Sequence, residues 1–315
     1  MAALSHDPLW PRAGDWPAVS SLAPDAPIDL ALLGVPAWRT SLSATGAHAT
    51  PAAVREALRR YSPVLMPDRS EPLGDDGVTD LGSLAYADFG DIDEPDGVAG
   101  EARTVAAAAD AVARSGLLVA LGGDNSVTVA TALGAWGAAL PTAGLITLDA
   151  HYDLRDGVSN GSPVRRLVEA GLAGTRIVQI GIADFANSRA YAERAAEFGI
   201  TVVHRDELHR RPIDDVMAEA VDIAGSAGGP IHLDVDVDVC DRSVAPGCPA
   251  SVPGGIAAWE LRAAVRAAAS DPRVRSLDIV EVDATADAPD GRTVRLAALC
   301  VLEAAAGLAA RRTER

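Results

Sequence analysis

Short runs rich in Leu, Ile and Val recur along the chain, separated by Ala-rich stretches whose apolar positions return every three or four residues. The short runs predict strands near 28–34, 77–81, 116–121, 143–148, 176–181, 200–203, 230–236 and 276–282. The longer stretches predict helices near 50–60, 97–114, 126–138, 162–170, 187–197, 212–225, 257–269 and 290–311. Thr50-Pro51, Ser126 and Asn187 supply helix start signals. Strands apolar at successive positions bury both faces, and their alternation with helices predicts a parallel sheet covered on both sides. The Pro-, Asp- and Gly-rich stretches at 62–76 and 83–96 read as exposed loops. No internal repeat or long linker divides the chain, so residues 1–315 read as one α/β domain with an N-terminal extension over 1–26.

Composition narrows the chemistry. The chain has 315 residues, 49% of them hydrophobic, and no apolar run approaches the roughly 18 residues of a membrane span. Its first residues hold early His, Asp and Pro with no apolar signal core, so a cytoplasmic address is expected. The net charge of −17 argues against nucleic acid as the main partner and leaves a small-molecule substrate as the natural one. There is no lysine; all 27 Lys-plus-Arg residues are arginine. Schiff-base, phosphate-loop lysine and Ser–Lys mechanisms are therefore excluded. Cys240, Cys248 and Cys300 share no CxxC spacing and suggest a reduced compartment without a disulfide framework.

In open α/β sheets, ligands sit beyond the carboxyl ends of the strands. Four strand ends here carry unusual residues. LITLDAHYDLRDG (145–157) follows an apolar run with Asp149, His151 and Asp153, which fall on one side of an extended chain. They read either as oxygen and nitrogen donors for Mn, Zn, Fe or Mg or as a polar loop. HLDVDVDVCD (232–241) alternates Asp234, Asp236 and Asp238 with valines. Three carboxylates on one face of a buried strand repel unless a cation joins them; the alternative is an edge strand with one wet face. LGGDNSVT (121–128) turns sharply and presents Asp124 and Asn125, but matches no phosphate-loop pattern. DIVEVDATADAPDGRT (278–293) places Glu281 inside an apolar strand, where it needs a salt bridge or a substrate contact.

Together these segments resemble the ureohydrolase family of arginases, agmatinases, guanidino-acid hydrolases and formimidoylglutamases. The resemblance rests on GGDNS (122–126), DAHYD (149–153), DVDVDVCDRSVAPG (234–247), DIVEVDATAD (278–287) and the early Gly46…Pro51-Ala-Ala-Val-Arg55. It implies a three-layer α/β/α fold around an eight-stranded parallel sheet, and two Mn2+ ions per subunit. The implied ligands are Asn125, Asp149, His151, Asp153, Asp236 and Asp238, with Asp149 and Asp238 bridging. Asp124, Asp234, Asp241 and His48 would support the ligands or the site from behind. The implied chemistry is metal-assisted attack of water on the planar C=N carbon of an amidine or guanidine. Asp153 would hold the nucleophile and relay its proton, and Glu281 would hold the cationic NH2 groups. The family commonly forms trimers or hexamers, so a homo-oligomer is implied.

Two departures stand out. Asn125 occupies a position usually held by a histidine ligand; it can coordinate only through oxygen, which weakens one metal or leaves a single one. Asn160 stands where arginases carry a proton-shuttle histidine, which disfavours arginase itself. DAHYDLR, SNGSPVRRL at 159–167 and the segment at 180–200 resemble formimidoylglutamases most. Hydrolysis of N-formimidoyl-L-glutamate to glutamate and formamide is then implied, with Asn160, Ser162, Arg165 or Arg166, Asn187 and Arg189 as candidates for the substrate. The rivals are urea release from agmatine or a guanidino acid, and a degenerate scaffold that binds without catalysis.

Overall fold

The computed structural model describes residues 7–66 and 78–313; His6, most of the predicted loop at 62–76 and the last two residues of the Arg-rich tail lie outside them. The first strand is β1 (Ile28–Val35). A two-residue pair follows, β2 (Val64–Leu65) and β3 (Thr79–Asp80), joined antiparallel. Then come β4 (Tyr86–Asp91), β5 (Ser115–Gly122), β6 (Gly144–Leu148), β7 (Ile177–Ile182), β8 (Thr201–His204), β9 (Ile231–Asp236) and β10 (Val274–Val280). The main sheet runs β4-β1-β5-β10-β9-β6-β7-β8, parallel throughout.

The helices are α1 (Thr50–Leu58), α2 (Gly97–Arg114), α3 (Val127–Trp136), α4 (Pro163–Ala170), α5 (Arg189–Phe198), α6 (Arg205–Leu208), α7 (Ile213–Ala224), α8 (Ala258–Ser270) and α9 (Arg292–Thr313). The three-layer arrangement follows from the side-chain alternation of the strands. Leu233 and Val235 of β9, Ile146 and Leu148 of β6, and Leu277 and Ile279 of β10 pack with residues of α1, α7, α8 and α9. Leu145 and Ile177 turn the other way, toward α3, α4 and α5, and Ala31 and Leu118 toward α2.

The expected count of eight strands holds, but one member differs. The strand expected at 77–81 is only the short β3, whereas β4 lies within the stretch read as a loop at 83–96. β4 is an edge strand, and of its residues only Ala87 is buried. Asp88 and Asp91 beside it receive Arg55 of α1, at 2.7 and 2.5 Å. An edge strand that answers an arginine has no need of an apolar repeat, so its sequence reads as loop. The helices lie within about two residues of expectation. α5 is capped by Ser188, whose side chain accepts the Tyr191 amide, and Asn187 is free for another task.

α9 is the long helix of the core. Its stretch Arg292–Arg311 is long and apolar enough to cross a membrane by length and composition, yet most of it is buried within the protein. It packs along α8, where the buried Glu303 carboxylate receives Nε of Arg262 at 2.8 Å and of Arg266 at 2.6 Å.

β6 begins hard against the end of α7. A Cβ at Gly144 would stand 2.1 Å from the Ala224 carbonyl oxygen. Gly144→Ala is expected to destabilise the fold by about 2 kcal/mol or more, because the obstacle is backbone and cannot rotate away. Urea unfolding should show a lowered midpoint; an unchanged midpoint would contradict this packing.

Candidate metal centre and active site

The four unusual strand ends meet. Asp149 follows β6 directly, and its Oδ1 accepts the His151 amide at 2.6 Å, so the chain turns instead of staying extended. Asp153 then takes the left-handed backbone (φ 52°), as does Glu281 (φ 60°). Such residues cost about 1–3 kcal/mol each and persist where the surroundings hold them. Glu281 is the first residue beyond β10, not inside it, and its amide donates to the Gly123 carbonyl at 2.9 Å. β9 likewise ends at Asp236. Asp238 lies in a single 3-10 turn, with its amide bound to Asp236 Oδ1 at 2.8 Å. Strict strand alternation therefore fails after Asp236, but the turn still delivers Asp238 to the same place.

Asp149, His151 and Asp238 form the tightest group, with a ligand atom from each lying within 4.8 Å of the others. His151 Nδ1 is 2.7 Å from Asp238 Oδ2 and 3.6 Å from Asp149 Oδ1. Asp238 Oδ1 accepts the Ala150 amide at 2.8 Å. Asp149 Oδ2 is buried and has no hydrogen-bond partner among the described residues. Asp153, Asp236 and Glu281 line the same cavity of about 370 Å3 as His151 and Asp238.

These groups shift one another strongly. Burial, then repulsion from Asp238, pushes the Asp149 carboxyl up to about 7. Burial and Asp149 raise Asp153, and burial and Asp238 raise Asp236. Burial disfavours a charged His151, but Asp238 and Asp149 outweigh it and push the imidazole up to about 11. Asp238 is depressed despite its burial, through the charge and hydrogen bond of His151. Burial pushes Glu281 up to about 7, against the hydrogen bonds that it accepts from Asn160 and the Asn125 amide. A buried group of carboxylates with an orphaned oxygen and no thiolate suits a hard or borderline divalent cation, which relieves the repulsion that protons otherwise relieve. The residues present thus fit a metal.

The remaining predicted residues divide. Asn125 is held at both ends of its amide: its Nδ2 donates to Asp153 Oδ2 at 2.6 Å, and its Oδ1 accepts the Thr128 hydroxyl at 2.7 Å. Asn160 lines the cavity, donates to Glu281 Oε1 at 2.8 Å and accepts the Leu42 amide. Asn187 reaches the wall, yet its amide is spent on the backbone of Tyr152, Ala150 and Ala183. Ser162 is buried and bonded to Ser159. Asp124 accepts from Ser126 and Thr40, and Asp241 accepts from Ser243 and Gly254. Asp234 is wholly buried beside Asp278, its pairing neighbour on β10, and burial with that neighbour raises it. His48 is exposed and packs on Trp38 with ring centroids 5.3 Å apart, away from the cavity lining.

Arg166 and Arg189 are not brought to the cavity. Arg166 grips Glu101 with two bonds of 2.9 and 2.8 Å, and Arg189 is solvent-exposed beside Glu193. Arg165 is tied to the Arg155 and Gly157 carbonyls and to Glu169. Arg155 lines the cavity instead, with Leu42, Phe185 and Tyr191. Only its place two residues after Asp153 signalled it.

The Arginase family profile matches residues 28–307. Formimidoylglutamase of Bacillus subtilis (strain 168) is 34% identical over 287 residues, covering 88% of this chain and 86% of that protein. The crystal structure of formimidoylglutamase from Bacillus subtilis superposes with a TM-score of 0.86 at 30% identity, covering 98% of this chain and 95% of that one. The fold is also shared with Trypanosoma cruzi formiminoglutamase, solved with Mn2+, at a TM-score of 0.80 and 23% identity over 90% of this chain and 94% of that one.

Cation binding to the folded state alone stabilises it in proportion to the logarithm of ion concentration over Kd. Added Mn2+ is expected to raise the thermal midpoint of the metal-free protein by several degrees. Asp149→Asn should remove that increment without lowering the metal-free midpoint, because it removes one of the repelling charges. Calorimetry with and without Mn2+ checks both, and an equal increment in the variant would count against the site.

Proposed function

The chain belongs to the arginase family, and from that premise we propose that it hydrolyses the amidine C–N bond of N-formimidoyl-L-glutamate, releasing L-glutamate and formamide. The likeness to formimidoylglutamase over nearly the whole chain supports the substrate. The observation that carries the chemistry is the position of Glu281. Its buried carboxylate is held by the Asn125 amide and by Asn160 and opens into the same cavity as Asp153, His151, Asp236 and Asp238.

The reading gives Asn125, Asp149, His151, Asp153, Asp236 and Asp238 as the residues that would hold two manganese ions. Bound manganese supplies Lewis-acid activation of water near neutral pH. The protein's own groups do the rest. Glu281 receives the cationic amidine through charge-assisted hydrogen bonds, strengthened by burial. Because Asn160 and the Asn125 amide both bond Glu281 Oε1, Oε2 is left to face the ligand. Asp153, fixed by Asn125 through Oδ2, accepts the proton of the attacking water and returns it to the departing glutamate nitrogen. Water adds to the formimidoyl carbon, the C–N bond to the amino acid breaks, and the carbon leaves as formamide. Asp124 and Asp241 brace the two loops, and Asp234 lies one pleat below Asp236. We place the reaction in the cytoplasm, in a homo-oligomer; the free, buried Cys240, Cys248 and Cys300 agree with a reducing compartment.

A substrate panel with added Mn2+ tests the reading, with formamide and urea assayed separately. Formimidoylglutamate should yield formamide, while arginine, agmatine and guanidinobutyrate should be poor. Urea as the main product moves the reading to a guanidino substrate, and no turnover of any substrate moves it to a binding scaffold. Asp238→Ala should abolish activity and reduce manganese content; unchanged content and rate would overturn the two-metal site. Asn125→His should tighten the weaker metal, seen as a lower Mn2+ concentration at half-maximal activity.

A further inference from the structure

The cavity is floored with carboxylates, yet formimidoylglutamate itself carries two. Two carboxylates entering beside Asp153, Asp236, Asp238 and Glu281 meet like charge that the single cationic amidine does not offset, so their recognition needs a cation of the protein's own. Apart from His151, Arg155 is the one basic side chain among the described residues that line the cavity.

Its guanidinium makes no hydrogen bond or ion pair with any described residue. The neighbouring arginines are spent. Arg165 and Arg166 are engaged as above, and Arg194 holds the Leu154 carbonyl at 2.6 Å and Asp156 at 2.8 Å. The main chain of Arg155 is nevertheless fixed from both sides. Its amide donates to the Gly161 carbonyl at 2.9 Å, and its carbonyl accepts Arg165 Nε at 2.6 Å. The side chain lies across Gly161, where a Cβ would stand 2.6 Å from Arg155 Cδ and 3.0 Å from Nε. The fold thus makes room for an arginine stem, anchors its backbone and leaves its five donors unused at the rim of an acidic cavity.

We propose that Arg155 is the receptor for the side-chain carboxylate of the substrate, and that it selects an acidic over a neutral amino-acid tail. This rests on the reading of the reaction given above. The exposed position of Arg155 suits the carboxylate farther from the scissile bond, since the reacting end lies among the buried residues. A guanidinium pairs with a carboxylate through two parallel bonds, which an ammonium cannot reproduce.

Calorimetric titration of the manganese-loaded protein with L-glutamate and its neutral isostere L-glutamine tests the assignment. The wild type should prefer glutamate by roughly 10- to 100-fold, the range for a charge-assisted pair. Arg155→Met, which keeps an apolar stem, should lose that preference and leave glutamine binding unchanged. Arg155→Lys should keep part of it. Gly161→Ala should weaken glutamate alone, by displacing the stem without removing the charge. A wild type without preference, or an Arg155→Met protein that keeps it, overturns the proposal. Formamide release from formimidoylglutamate, assayed in parallel, judges the reaction separately. If it is absent while the glutamate preference stands, the reaction is wrong and the receptor is right.

Discussion

The constraint on which the rest depends is the crowding of negative charge among buried side chains at the floor of one cavity. Asp149, Asp153, Asp236, Asp238 and Glu281 are all buried, and His151 is the basic side chain in direct contact with Asp238. Desolvation and mutual repulsion both oppose ionisation of such a group. Without a metal, protons and His151 carry the compensation, which is why Asp149 and Glu281 both sit near 7. A divalent cation is the natural counterpart of this arrangement. The strands of the sheet are apolar on the face toward α1, α7, α8 and α9, so stability and charge are held on different sides of the same residues.

The strand ends do not act separately. The Asn125 amide reaches Glu281, and the Asn125 side chain reaches Asp153. Asp238 accepts the Ala150 amide, and Asn187 holds the same segment from the other side. Asp283 accepts the Gly46 amide at 2.7 Å and so fastens the loop before α1 to the end of β10. Two residues with left-handed backbones, Asp153 and Glu281, are retained because these cross-links leave them no other path. A network of this kind positions ligands to within fractions of an ångström, as catalysis by electrostatics requires.

The sequence disclosed well which acidic segments converge, because alternating carboxylates at the end of an apolar run repel one another unless a cation or open water relieves them. It disclosed the sheet nearly as well, since strands buried on both faces must be apolar throughout. β4 escaped because its side chains answer Arg55 rather than a core, and an edge has no period to read. Asp238 joins Asp149 and His151 through a 3-10 turn, which strand alternation does not describe. Which arginine reaches the cavity was the least legible. Arg166 and Arg189 have the right chemistry, but whether an arginine meets Glu101, Glu193 or open cavity is decided by contacts far apart in sequence. Arg155 was hidden for the same reason, since being unpaired is a property of the whole fold.

The hydrogen bond from the Arg155 amide to the Gly161 carbonyl closes a seven-residue turn that also carries Asn160, whose side chain rests on Glu281. One short loop thereby spans from the buried Glu281 carboxylate to the Arg155 guanidinium at the rim. The separation between them works as a ruler, set by that turn and not by the sheet. A change in the length of this turn would shift that separation while leaving the acidic cluster and the α/β/α frame as they are.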